Sequence, residues 1–86
     1  MYHGTSSKFI TDILRDGLKS MNRQYVHLSD KISTAKQVGE RHGGNLIVLE
    51  INVEKMIKDN IKFFISDNGV FLVDKVNPKY LQIINL

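Results

Sequence analysis

The chain of 86 residues has no cysteine, 12 Lys and Arg against 9 Asp and Glu, 42% hydrophobic and 24% charged residues, which bounds it as one small globular domain whose single core only just suffices. The missing thiols exclude a disulfide framework and a thiolate metal site and fit a cytoplasmic location. The net charge of +3 favours anionic partners without any block of like charge that reads as a nucleic-acid tail, and no apolar run approaches the roughly 20 residues that cross a bilayer, so the expectation is a soluble protein without a membrane partner.

Residues 1–5 open as a short alternating stretch, and Ser6 and Ser7 are residue types that cap helices. Ile10, Ile13 and Leu14 recur at helical spacing over residues 8–16, Leu18 extends the stripe, and Gly17 stands where a C-terminal cap belongs. Gly4 lets the backbone approach a ligand or another strand closely, and Thr5 with the amides after it forms a donor-rich helix start suited to an anion or a sugar. For so short a motif as His-Gly-Thr taken in isolation, a plain strand-turn-helix is the favoured reading.

A loop at residues 19–22 leads to a strand ending at Leu28. Ser29, Asp30 and Ser33 offer caps for a second helix bearing Ile32, Ala35, Val38 and His42, which ends at Gly43-Gly44. Arg41 and His42 in its last turn complement the helix dipole. Residues 46–51 read as a buried strand and residues 53–58 as a short turn or helix carrying Met56. Residues 61–65 and 70–73 are strands joined by Ser66-Asp67-Asn68-Gly69, whose Asn-Gly pair signals a tight turn and hence a hairpin. Pro78 marks a turn before a closing strand over residues 80–86. The order β-α-β-α followed by strands predicts the α+β class, not a doubly wound parallel sheet.

The candidate site lies in residues 23–29. Arg23, His27 and Ser29 fall at alternating strand positions and therefore on one face. A guanidinium suits a phosphate bidentately, an imidazole can hold a ribose hydroxyl, and a serine can donate to what lies between them. The chemistry is that of a nucleotide or phosphoester site; the bland reading is a half-buried strand with Val26 and Leu28 inward. Three scattered histidines without a carboxylate or cysteine at ligand spacing predict no metal.

The motifs Tyr2-His3-Gly4-Thr5, Ile13 with Asp16-Gly17-Leu18, Met21-Asn22-Arg23-Gln24-Tyr25-Val26-His27-Leu28-Ser29, and Thr34-Ala35 with Val38-Gly39-Glu40-Arg41-His42-Gly43 occur in this order. Val48-Leu49-Glu50, Ser66-Asp67-Asn68-Gly69-Val70 and Val76-Asn77-Pro78-Lys79-Tyr80-Leu81 follow. Together they make the sequence resemble the NAD-binding lobe of the Tpt1/KptA family of tRNA 2′-phosphotransferases. The resemblance implies an ADP-ribosyltransferase-like fold over residues 1–86, two mainly antiparallel sheets with two short helices and NAD in the cleft. It implies that His3, His27 and Val70 mark the cofactor site on three strands, His3 holding a ribose with Gly4 and Thr5 near the nicotinamide and diphosphate. Ile13, Gly17 and Leu18 would border the adenosine, Ser29 the diphosphate, and Arg41 joins the cofactor set.

The implied chemistry has two steps. An RNA 2′-phosphate attacks the anomeric carbon of the NAD ribose and expels nicotinamide; a ribose hydroxyl then attacks that phosphate, leaving a 2′-hydroxyl RNA and ADP-ribose 1″,2″-cyclic phosphate. Arg23 matches the family's phosphate-binding arginine in this lobe, with His3 and His27 as the other catalytic positions. The sequence departs from the pattern in having no N-terminal winged-helix lobe before Tyr-His-Gly-Thr, so the expectation includes a partner chain supplying that lobe, or a different acceptor for ADP-ribose, or an NAD-binding module without chemistry. Phe71-Leu72 also stand where relatives usually carry Trp and Thr.

Overall fold

The computed structural model describes residues 1–20 and 24–84. In chain order its elements are β1 (Tyr2–Ser6), α1 (Ile10–Asp16), β2 (Leu18–Lys19), β3 (Val26–Leu28), α2 (Ile32–Glu40) and β4 (Leu46–Ile51). There follow α3 (Val53–Lys58), β5 (Phe64–Ile65), β6 (Phe71–Val73), β7 (Lys75–Val76), a 3-10 turn (Pro78–Tyr80) and β8 (Leu81–Ile84). The strands form three antiparallel ladders, ordered β1-β4-β8, β2-β7 and β3-β6-β5. The α+β class and antiparallel pairing agree with the sequence reading. Among the described residues the two sheets and two helices expected become three antiparallel sheets and three α-helices, because residues 53–58 complete a helix and the two-residue β2 and β7 pair on their own.

The central strand β4 follows from composition: Leu46-Ile-Val-Leu-Glu-Ile is apolar at five of six positions and β-branched at three, and Val48 and Leu49 are fully buried. β1 lies beside it with His3 opposite Leu49 and Gly4 opposite Val48. Helix α2 presses directly onto β1, and two glycines make that approach available. A Cβ added at Gly4 would sit 1.7 Å from the Ala35 carbonyl oxygen, and one at Gly39 would sit 2.9 Å from the Thr5 oxygen. The close approach seen at Gly4 is to a helix.

On its far side β1 is joined to the residue just after β3 by one backbone bridge, Tyr2 with Ser29. The Tyr2 amide donates to the Ser29 carbonyl at 2.7 Å and the Ser29 amide to the Tyr2 carbonyl at 2.8 Å. This bridge links the first ladder to the third. The core of Leu18, Val26, Leu28, Leu49, Ile51, Met56, Val73, Val76 and Tyr80 lies between the ladders and α3. Burying Met56 completely contributes about 1.5–3 kcal/mol.

Local chemistry explains several ends. Asn52 caps α3 by accepting from the Lys55 amide at 3.1 Å, and Asn60, at φ 65°, closes it while the Ile61 amide reaches back to the Met56 carbonyl at 3.0 Å. The hairpin over Ser66-Asp67-Asn68-Gly69 forms as expected, with the Gly69 amide on the Ser66 carbonyl at 2.9 Å. Only Gly69 there takes a positive φ, 82°, so the turn pairs an ordinary first half with a glycine bulge instead of the two left-handed residues of the tightest hairpins.

Other local expectations give way to tertiary demands. The N-cap of α1 is Phe9, without a side-chain cap; Ser6 Oγ accepts from the Lys8 amide and Ser7 Oγ from the Asn45 amide, so the serines hold a turn and a neighbouring loop. Thr5 sits buried inside β1, not at a helix start. Leu18 leaves the helical stripe for β2, where it pairs with Val76. Lys31, not a serine or aspartate, is the N-cap of α2, and Arg41 is its C-cap. The strand expected over residues 61–65 is confined to Phe64–Ile65, and the strand ending at Leu28 is described from Val26, with Arg23 outside the described residues. Pro78 opens the 3-10 turn before β8.

Gly4→Ala is expected to lower stability by roughly 3 kcal/mol or to abolish folding, since the obstructing atom is helix backbone that cannot turn aside. Gly69→Asn should cost well under that, because Asn tolerates the left-handed region and nothing lies within 4 Å of a Cβ there. Thermal melts of the two variants against the parent check the ranking.

Candidate functional site

Alternation along β1 sends Gly4 toward α2 and leaves His3 and Thr5 for the opposite face. That face forms one wall of a cavity of about 390 Å³, within the roughly 300–1,000 Å³ typical of small-molecule sites. Phe9 and Ile13 of the α1 region, with Leu18 of β2, add an apolar wall, and Gly17 lies between them. The exposed side chains of Asp12, Arg15, Asp16 and Lys19 line its rim, and His42, just beyond α2, completes the lining beside Phe9.

His3 is the best-defined polar group in the cavity. Its Nδ1 lies 3.0 Å from the His27 carbonyl oxygen; a carbonyl only accepts, so Nδ1 carries the proton and donates. Burial lowers the His3 pKa below its ordinary value of 6.5, with the His27 carbonyl bond opposing and the charges of His42 and His27 adding to the lowering. The ring is therefore neutral near pH 7, and Nε2, without a partner among the described residues, is a bare acceptor. The His27 ring is oriented likewise, Nδ1 donating to the Tyr25 carbonyl at 3.1 Å.

The rim charges are partly spent on one another. The Arg15 guanidinium reaches Asp16 at 2.9 Å and Asp12 at 3.3 Å, which holds the Asp16 carboxyl below its usual range and Arg15 above its own. Both groups are exposed, so the network orients side chains more than it stabilises the fold. Phe9 meets His42 edge to face, ring centroids 5.7 Å apart.

Of the site residues named from sequence, the cavity brings together His3, Thr5, Ile13, Gly17 and Leu18. His27 neighbours it through the carbonyl that holds His3. Gly4 faces α2, Ser29 lies in the bridge to Tyr2, Arg41 is an exposed helix cap, and Val70 precedes β6 with its amide on Ser66 Oγ at 3.0 Å. None of these four lines the cavity. Arg23 lies outside the described residues. Phe9, Asp12, Arg15, Asp16, Lys19 and His42 also line it but were not among those site residues. The charged face of α1 was readable from helical spacing, whereas Phe9 and His42 meet across 33 positions with no local signal.

Fold and cavity together define an α+β protein with a small-molecule-sized cleft beside the junction of two ladders, walled by hydrocarbon and headed by a neutral imidazole. The family model described as RNA 2′-phosphotransferase, Tpt1 / KptA family, matches residues 1–75, and the chain belongs to that family. It is 49% identical over 82 residues to a probable RNA 2′-phosphotransferase of Fusobacterium nucleatum, covering 95% of this chain and 46% of that protein. A second such protein, from Trichormus variabilis, is 45% identical over 85 residues, covering 99% of this chain and 46% of its own length. The chain thus spans about half the length of the curated relatives it matches.

The lowered His3 pKa has a stability consequence. Above pH 6.5 both folded and unfolded chains hold His3 neutral; as pH falls below 6.5 the unfolded chain takes the proton first, so this contribution to stability is lost as pH falls through the folded pKa. His3→Gln should flatten that part of the decline in melting temperature between about pH 7 and 5, and nitrogen NMR of His3 should show the Nδ1–H tautomer. A charged His3 at pH 7 would contradict the assignment.

Proposed function

We propose that this chain is the NAD-binding, ADP-ribosyltransferase-like lobe of an RNA 2′-phosphotransferase, and that the His3 cavity is where NAD binds. The observation that carries the reading is the neutral His3, locked through Nδ1 and presenting Nε2 as an acceptor beside a mostly apolar cleft. The lining fits the nucleoside parts of the dinucleotide: a bare imidazole nitrogen accepts a ribose hydroxyl, and Ile13, Leu18 and Phe9 suit a flat base. Relatives sharing 45–49% identity bear the name probable RNA 2′-phosphotransferase, and the motif of this sequence that resembles the family includes Arg23.

When bound, NAD supplies an electrophilic anomeric carbon with nicotinamide as leaving group. The protein's own part is positioning and charge. His3 orients the ribose through Nε2, His27 sets the His3 tautomer through its carbonyl, and Arg23 grips the 2′-phosphate of the RNA with a planar fork that a lysine cannot reproduce. Charge gathers on the phosphate oxygens in the transition state, so a preorganised cation there acts mainly on rate.

The test is incubation of the purified chain with labelled NAD and a short RNA bearing an internal 2′-phosphate, following both nicotinamide release and RNA products. Arg23→Lys is expected to lower phosphate removal by about 10²-fold or more while leaving NAD affinity within about twofold. Stable ADP-ribosylated RNA would assign the second step to the other half of the longer relatives. Unchanged turnover in Arg23→Lys would refute the arginine's role, and NAD failing to bind the chain would refute the cavity assignment.

A further inference from the structure

The β2–β7 ladder contains an arrangement that folding alone does not favour. Lys19 stands directly opposite Lys75 in register, and residues opposed in this way project from the same face of the ladder, where like charges repel. Both lysines are exposed, and among the described residues neither lies within salt-bridge distance of a carboxylate. Asp16, the nearest candidate on the Lys19 side, is claimed by Arg15. A like-charged pair on so short a ladder, offset on the Lys19 side only by the longer-range field of Asp16, is what an anionic ligand would relieve.

The pair also stands between two concavities. Lys19 lines the His3 cavity, while Lys75 lines a second cleft of about 350 Å³ with Lys62 and Phe64. Asp74 is the one acid in that cleft's lining, and Lys79 there is partly neutralised, 3.9 Å from Asp59 and 5.1 Å from the Tyr80 ring centre. Phe64 is 47% exposed, a large apolar ring left in water at the cleft edge and stacked at a tilt on Tyr25 at 5.3 Å. A cationic track interleaved with an exposed aromatic is the combination that holds single-stranded nucleic acid, lysines following the backbone and the ring offering a face to a base. A dinucleotide confined to the first cavity uses neither Lys62 nor Phe64.

We propose that Lys19, Lys75 and Lys62, with Phe64, form a ridge across β2–β7 that carries the phosphodiester backbone of the acceptor RNA from the second cleft to the His3 cavity. The proposal rests on the RNA-acceptor reading above and assigns the strand a surface. Removing charge at Lys75 also removes the cross-strand repulsion, so a loss of binding there would not come from a weakened fold.

The experiment measures binding of a fluorescent single-stranded RNA carrying one 2′-phosphate across a salt series, with NAD affinity and melting temperature in parallel, for the parent, Lys62→Gln/Lys75→Gln, Lys75→Arg and Phe64→Leu. For the double variant the expected result is RNA affinity about tenfold weaker at about 50 mM salt and a log–log salt slope shallower by about 1.4. NAD affinity should be unchanged and the melting temperature equal or higher. Lys75→Arg should keep the parent slope, and Phe64→Leu should weaken RNA about fivefold at unchanged slope. Parent RNA affinity and slope in the double variant would overturn the ridge, as would failure of the parent chain to bind RNA. A loss confined to NAD would overturn it too, placing the lysines on the dinucleotide. If NAD binds no form of the protein while the lysine dependence of RNA holds, the ridge stands and the NAD assignment falls.

Discussion

The constraint from which the rest of the structure follows is the pinning of β1 on every side. One edge is paired with β4, the other is joined to β3 by the Tyr2–Ser29 bridge, and one face lies under α2 at the Gly4–Gly39 approach. Only the second face is left, and it is the wall of the cavity. A strand held this firmly lets a side chain be aimed. The bridge sets Tyr2 beside Ser29 and so brings the His27 carbonyl within 3.0 Å of His3 Nδ1, and that one hydrogen bond decides which imidazole nitrogen is free. Rigid backbone is what makes such a choice reproducible.

The electrostatics of the cleft are graded from floor to rim. At the floor, burial holds His3 neutral. At the rim, Arg15 is balanced by Asp12 and Asp16, while Lys19 has no carboxylate within salt-bridge distance among the described residues. The molecule thus offers an uncharged acceptor inside the cleft and cations outside it. With a net charge of only +3, placement matters more than total charge: exposed charges more than about 10 Å apart are largely screened at physiological salt.

Size enters the same argument. A chain this short has few layers, and its core residues come from five strands, a helix and the 3-10 turn. Phe9, Leu14, Ile57, Phe64, Ile65 and Ile83 remain at least 41% exposed. No helix among the described residues is long and apolar enough to cross a membrane, and the chain matches about half the length of its relatives.

By itself the sequence determined the α+β class, the long strand Leu46–Ile51, the hairpin at Asn68-Gly69 and the existence of α1 and α2, because hydrophobic period and turn chemistry act between near neighbours. It also marked His3 and the apolar wall of Ile13 and Leu18 through family motifs. Tertiary structure alone decided that Gly4 serves helix packing, that Leu18 belongs to a strand, and that Ser29 spends its backbone on Tyr2. It decided too that Phe9 meets His42 and that Lys19 faces Lys75. Each of these joins positions far apart in the chain, where the deciding terms are interatomic distance and burial, and neither is expressed in the identity of a residue's neighbours along the sequence.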